Sequence, residues 1–293
     1  MYFSRIRIRS DVRDLHLLVS SNVYGAHQLL WKLFPAGDSG RAFLFREEIG
    51  REQLPFHKGV KGEPVFYTVS AAKPLSDHPI FAVDSKQYAP QLENGDRLAF
   101  RLRANPTIAR KTDGKKNSIR HDVVMDAQFH LLRELAGDVG VVVAGDKSKI
   151  KREVLAAWRH SPTAHVVKDK LLHTIADNER FAERVRDTMN PERLLDLALK
   201  ARMNKALEEW FSDKGDRLGF TVVRDDNLNR LKFQAEGYQW HALPKKGKTA
   251  GFSSVDFEGE IEVTDSALFS EALIDGIGPA KGFGCGLMLV RRV

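Results

Sequence analysis

Five glycines fall within eleven residues near the end of this chain, in Gly276-Ile277-Gly278-Pro279-Ala280-Lys281-Gly282-Phe283-Gly284-Cys285-Gly286. Glycine takes positive φ without steric cost and lets another backbone come close. A stretch built this way turns repeatedly and continues neither a helix nor a strand. The run Ser266 to Asp275 before it has a helical pattern, with Asp265 placed as its N-cap, and Leu287 to Val290 after it is an apolar strand-like run. The expected unit is helix, compact loop, last strand. N–H groups of such a loop can converge on one anion, as phosphate-binding nests do, and Lys281 adds a cation. A turn that only reverses the chain has the same composition.

The remainder of the chain reads as alternating strands and helices. In Tyr2 to Arg9, Ser4, Ile6 and Ile8 fall on one side and Arg5, Arg7 and Arg9 on the other, the pattern of a half-buried strand. A helix follows from about Asn22 to Phe34, with Ser20, Ser21 and Asn22 as capping candidates and Val23, Ala26, Leu30 and Leu33 on its apolar face. Strands are expected at Ala42 to Glu47, Val65 to Val69 and Asp96 to Arg103, whereas Ala71 to Glu93 carries no clear pattern. This β-α-β-β-(weak helix)-β order predicts a ferredoxin-like domain over residues 1–104. Residues 105–120 read as a basic linker, with Arg110, Lys111, Lys115, Lys116 and Arg120. A second ferredoxin-like domain is expected over 121–293, with strands at Gly219 to Val223, Lys232 to Trp240 and Val255 to Val263. Residues 128–190 read as a helical insertion in it, and 276–286 as its glycine loop. The expected fold class is α+β, two tandem ferredoxin-like (RRM-like) domains.

The formal net charge is +7, which favours a polyanionic partner or an acidic membrane face. Cys285 is the one cysteine, so an intramolecular disulfide and a cysteine-rich zinc site are both excluded. It reads as a small buried residue. His130, His160, His165 and His173 lack a recognisable ligand spacing, and no acidic cluster resembles a two-metal site, so no metal is expected. The N-terminus lacks a signal-peptide pattern, and no run approaches the roughly 18 apolar residues of a membrane span. The expectation is a cytoplasmic protein with no membrane partner.

Tyr24 and His27 stand three apart on the first helix and share a face with Gln28 and Trp31, expected to lie apart from the apolar one. Imidazole titrates near pH 6.5 and suits proton transfer. Considered alone, such a histidine is as compatible with a structural or solvated role.

The run Tyr24-Gly25-Ala26-His27-Gln28-Leu29-Leu30-Trp31-Lys32-Leu33-Phe34-Pro35 resembles the helix of the type I-E Cascade endoribonuclease (CasE) family of CRISPR-associated proteins. So do Arg101-Leu102-Arg103-Ala104-Asn105-Pro106, Leu218-Gly219-Phe220, Phe257-Glu258-Gly259 and the loop Gly276 to Leu287, in the family's order along the chain. The resemblance implies two ferredoxin-like domains that bind a CRISPR repeat RNA hairpin, cut it at the 3′ base of the stem and remain bound to the mature guide RNA with other Cascade subunits. It implies metal-independent chemistry without a cofactor: the 2′-hydroxyl attacks, leaving a 2′,3′-cyclic phosphate and a 5′-hydroxyl. His27 would be the general acid or base, and Tyr24 would orient the phosphate or support proton transfer. RNA contacts are expected from Gly278, Lys281, Gly282 and Gly284, from the basic stretch Lys245, Lys246 and Lys248, and from Arg103 and Arg110. The alternatives are a non-catalytic RNA-binding subunit of the same complex and an unrelated RRM-like single-strand binder. The helical insertion has no counterpart in the compact family pattern.

Overall fold

The computed structural model describes residues 1–9, 23–34, 42–49, 64–111, 118–186, 189–225, 230–243 and 250–293. Strand β1 (Tyr2–Ile8) buries Ser4, Ile6 and Ile8 and exposes Arg5 and Arg7, as its alternation requires. It pairs antiparallel with β3 (Pro64–Ser70) on one side and β4 (Phe81–Gln87) on the other, and β2 (Phe43–Ile49) pairs with β3. The order β2-β3-β1-β4 is the ferredoxin-like order. Helix α1 (Val23–Trp31) crosses from β1 to β2, and Leu30, Leu33 and Phe34 pack on Ile6, Ile8, Phe43, Phe45, Phe66 and Phe81. Its last turn tightens through i→i−3 bonds that carry the chain to Phe34. Strand β4 lies within the stretch whose sequence shows no pattern. Only Phe81 of it is buried, so an edge strand of this kind leaves almost no hydrophobic periodicity to read.

The second sheet contains β5 (Arg97–Ala104), β8 (Phe220–Val222), β9 (Phe233–Ala242), β10 (Gly251–Val263) and β11 (Met288–Arg292), in the order β11-β5-β10-β8 with β9 paired to β10. Without β9 this is the ferredoxin-like order again, with β5 as first strand and helix α7 (Ser266–Asp275) before the last. The strand that sequence reading assigns to the end of the first domain therefore opens the second. Alternation of buried Leu98, Phe100, Leu102 and Ala104 specifies a strand. Its partners, Val255 to Glu262 and Met288 to Arg292, lie about 150 to 200 residues away in sequence and carry no local signature.

The predicted linker is likewise revised, because β6 (Thr107–Arg110) pairs with β7 (Ile119–Asp122). Helices α2 (Val123–Asp138), α3 (Lys147–Trp158), α4 (Ala164–Ala176) and α5 (Glu179–Ala182) follow, and then α6 (Pro191–Leu218). The chain divides into two compact units: Met1–Asn105, Lys214–Arg224 and Leu231–Val293 in one, Pro106–Asp213 and Asp225–Arg230 in the other. The insertion is thus larger than residues 128–190. Its core joins Leu131, Leu135, Ile150, Val167 and Leu171 to Leu194, Leu195 and Ala198 of α6. In the first unit, the face of the first sheet opposite α1 packs Leu44 and Val69 against Leu287, next to β11.

Candidate active site and nucleic-acid interface

His27 is half-buried on α1. Its ring centroid lies 5.3 Å from Phe43, 5.8 Å from Phe45 and 5.5 Å from Trp31. This corrects the expectation that its face stands apart from the apolar one. His27 precedes Leu30 by three residues, so it borders the apolar stripe, and its ring rests on the aromatic row of β2. Burial pushes its pKa below the ordinary imidazole value, which favours the neutral ring at neutral pH. Tyr24 lies one turn earlier on the helix backbone, and its side chain falls outside the described residues.

The glycine loop reaches the same strand. Asp265 caps α7 by accepting from the N–H groups of Ala267 and Leu268, both at 3.0 Å. The helix stops at Gly276, where φ is 80°. A Cβ there would fall 2.8 Å from Leu44 Cδ1, and one at Gly284, φ 82°, would fall 3.2 Å from Phe45 Cε2. The loop therefore lies directly against β2, and Phe45 touches both it and His27. The ends of the loop are fixed by Ile277 N–H to the Gly286 carbonyl at 2.8 Å and Gly286 N–H to the Arg103 carbonyl at 2.7 Å. Phe283 stacks on Phe252 at 4.8 Å, which stacks on His241 at 4.7 Å. Lys281 donates to the Asp275 carbonyl at 2.6 Å, which places its cation at the C-terminal end of α7. Gly278 has φ 81°. At Gly282 a Cβ would meet nothing within 4 Å, and φ is not positive.

A charged network adjoins the loop. Arg103 donates twice to Asp256, from Nε and Nη2, each at 2.9 Å. Arg46, 4% exposed, lies 2.5 Å from Glu48 Oε1 and 3.6 Å from Asp256 Oδ1. Asp256 thereby links β2 of the first sheet to β5 and β10 of the second. Cys285 is fully buried, as expected, and burial pushes its thiol up to about 12, the mark of an inert group. Arg46, Asp256, His241 and Glu47 escaped sequence reading. The one available signal is the run Arg46-Glu47-Glu48, three charges continuing a strand whose preceding residues, Phe43 to Phe45, are all buried.

Arg110 belongs to the other unit and is paired through Nε and Nη2 with Asp126, at 3.0 and 2.5 Å. Lys245, Lys246 and Lys248 lie outside the described residues. Among the described residues no group of three His, Cys, Asp or Glu side chains is placed to hold a metal ion, and no helix is long and apolar enough to cross a membrane.

Residues 1–292 match the model of a protein family described as CRISPR associated protein. The CRISPR system Cascade subunit CasE of Escherichia coli strain K12 is 25% identical over 295 residues, covering 98% of each chain. Two solved structures share the fold, each at 18% identity, a TM-score of 0.54 and 99% coverage of this chain. One is the CRISPR endoribonuclease Cse3 bound to a 19-nt RNA, covered over 100% of its length. The other is Thermus thermophilus Cse3 bound to an RNA representing a pre-cleavage complex, covered over 98%.

Proposed function

Since the chain belongs to the CRISPR-associated protein family, we propose that it is a metal-independent endoribonuclease that processes CRISPR repeat RNA. It binds the repeat hairpin, cuts at the 3′ base of the stem and stays with the guide RNA among Cascade subunits in the cytoplasm. The observation that carries this reading is the meeting of His27 and the glycine loop on Phe45. A proton-transferring ring and a loop suited to a phosphate share one strand. The RNA supplies the nucleophile: the 2′-hydroxyl beside the scissile phosphate attacks, and a 2′,3′-cyclic phosphate and a 5′-hydroxyl result. His27 moves a proton in this step, and Tyr24, one helical turn away, orients the phosphate. The similarity to CasE, a Cascade subunit, over nearly the whole of both chains supports the same partners.

The test is single-turnover cleavage of the host's repeat hairpin in excess chelator. Wild-type protein is expected to cut, His27→Ala to lose about 10²- to 10⁴-fold in rate while still binding, and a single 2′-deoxy substitution at the cleavage site to stop the reaction. Strict dependence on Mg²⁺, or cleavage of the deoxy substrate, would overturn the mechanism. Tight binding without any cleavage would leave the non-catalytic subunit as the reading.

A further inference from the structure

Attack by a 2′-hydroxyl needs two proton transfers: one from the attacking oxygen, one to the departing 5′-oxygen. His27 serves only one at a time. We propose that Glu47 is the second proton-handling residue of the site, delivering the proton to the 5′-oxygen while His27 takes one from the 2′-hydroxyl. The inference rests on the endoribonuclease reading above.

Position is the first argument. Side chains two apart on a strand share a face, so Phe43, Phe45 and Glu47 form one row on β2. Register agrees, since Phe45 stands opposite Thr68 and Glu47 opposite Phe66, both on the α1 side of the sheet. His27 spans the first two members of the row, with its ring 5.3 Å from Phe43 and 5.8 Å from Phe45. Glu47 is the next, roughly 7 Å further along the strand. Gly284 touches Phe45, the member between them. A phosphate held by the loop at that point has His27 on one side and Glu47 on the other. In-line displacement puts the attacking and leaving oxygens on opposite sides of phosphorus, and each proton carrier works within about 3 Å of its own oxygen.

Availability is the second. Arg46 and Glu48 pair with each other. Among the described residues the Glu47 side chain makes no hydrogen bond or ion pair, although it is only partly exposed. A carboxyl at the edge of an aromatic floor without a hydrogen-bonded partner costs desolvation and brings no structural bond. Burial pushes its pKa up, against the pull of Arg103 on β5, and burial pushes His27 down. The two shifts run in the directions that favour a protonated acid and an unprotonated base.

The step balances. The O2′–P bond forms as the 2′-hydroxyl proton passes to His27. The P–O5′ bond breaks, its electron pair goes to O5′, and the Glu47 carboxyl proton follows. Exchange with water afterwards returns the proton from His27 and reprotonates Glu47.

The test compares Glu47→Gln and Glu47→Asp with wild type on two repeat RNAs, one normal and one with sulfur replacing the bridging 5′-oxygen at the cleavage site. A thiolate leaves without a proton. Glu47→Gln is expected to cut the normal RNA about 10²- to 10⁴-fold more slowly, with unchanged binding, and to cut the sulfur RNA at nearly the wild-type rate. Glu47→Asp should retain part of the activity, and His27→Ala should stay slow on both RNAs. Glu47→Gln cutting the normal RNA at the wild-type rate, or equally impaired on both substrates, would overturn the assignment. Wild-type protein unable to cut either RNA would instead sink the endoribonuclease reading and this inference with it.

Discussion

At the scale of the residue, His27 illustrates how packing sets chemistry. Its ring lies on Phe43 and Phe45, and the desolvation this brings disfavours the imidazolium. The folded-state pKa is therefore below the ordinary value of about 6.5. For a base this is the useful direction, because the ring is mostly neutral at pH 7. With Glu47 as the acid the single-turnover rate is expected to follow a bell: it falls on acidification as His27 takes up a proton, with a midpoint below about 6.5, and falls on the alkaline side as Glu47 loses its own. An acid-side midpoint above 7 would mean that RNA or a neighbouring carboxylate, not burial, governs the ring. Stability has the same sign: a group whose folded pKa is lowered contributes stability above its unfolded pKa and loses it as pH falls through the folded one. Acid unfolding, followed by circular dichroism, separates that loss from the loss of rate. The sequence reads correctly that His27 and Tyr24 share a helix. It does not reveal Glu47, whose meaning arises only when α1 and the glycine loop are laid on the same strand.

At the scale of the element, the glycine loop divides into residues that the fold requires and one that it does not. Gly276 occupies left-handed space with Leu44 at 2.8 Å and the Gly286 carbonyl at 3.1 Å from a would-be Cβ. Gly276→Ala is expected to cost about 1–3 kcal/mol for the backbone conformation alone, more once the contact with Leu44 is counted. Gly282 has room for a methyl group and needs no special φ. Gly282→Ala should therefore leave stability within about 0.5 kcal/mol yet weaken hairpin binding by about tenfold, if an RNA backbone approaches there. Thermal unfolding and a binding titration on the same two variants decide it, and equal RNA affinity for Gly282→Ala and wild type would remove this glycine from the interface. Much of this element was legible, because the Asp265 cap, α7, the loop and β11 are all specified by neighbours in sequence. Strand β4 was not, and β5 was legible as a strand but not as a member of the second sheet. The first buries one residue, and the second is placed by partners at the far end of the chain.

At the scale of the whole molecule, the insertion poses the question of what can be removed. Residues 128–190 have no motif tied to cleavage, and the proposed chemistry places no residue there. Yet their helices are not self-contained. Leu194, Leu195, Leu197 and Ala198 at the start of α6 are at most 8% exposed and belong to the same core as Leu131, Ile150, Val167 and Leu171. Replacing 128–190 with a Gly/Ser linker strips that cover. Each leucine newly exposed forfeits roughly 1.5–3 kcal/mol of burial, and four apolar side chains in five consecutive positions form a patch prone to association. The shortened chain is therefore expected to bind a hydrophobic dye and to aggregate, whatever its catalytic state. Adding Leu194→Lys, Leu195→Glu and Leu197→Lys should restore solubility, because those positions would then face water on a helix. The resoluble variant is expected to cut the repeat hairpin at nearly the full-length rate, since His27, Glu47 and the glycine loop all belong to the other compact unit. If that variant is folded by circular dichroism, binds the hairpin and fails to cut, the insertion is part of the catalytic machinery. If it cuts but no longer assembles with Cascade subunits, the helices serve a partner.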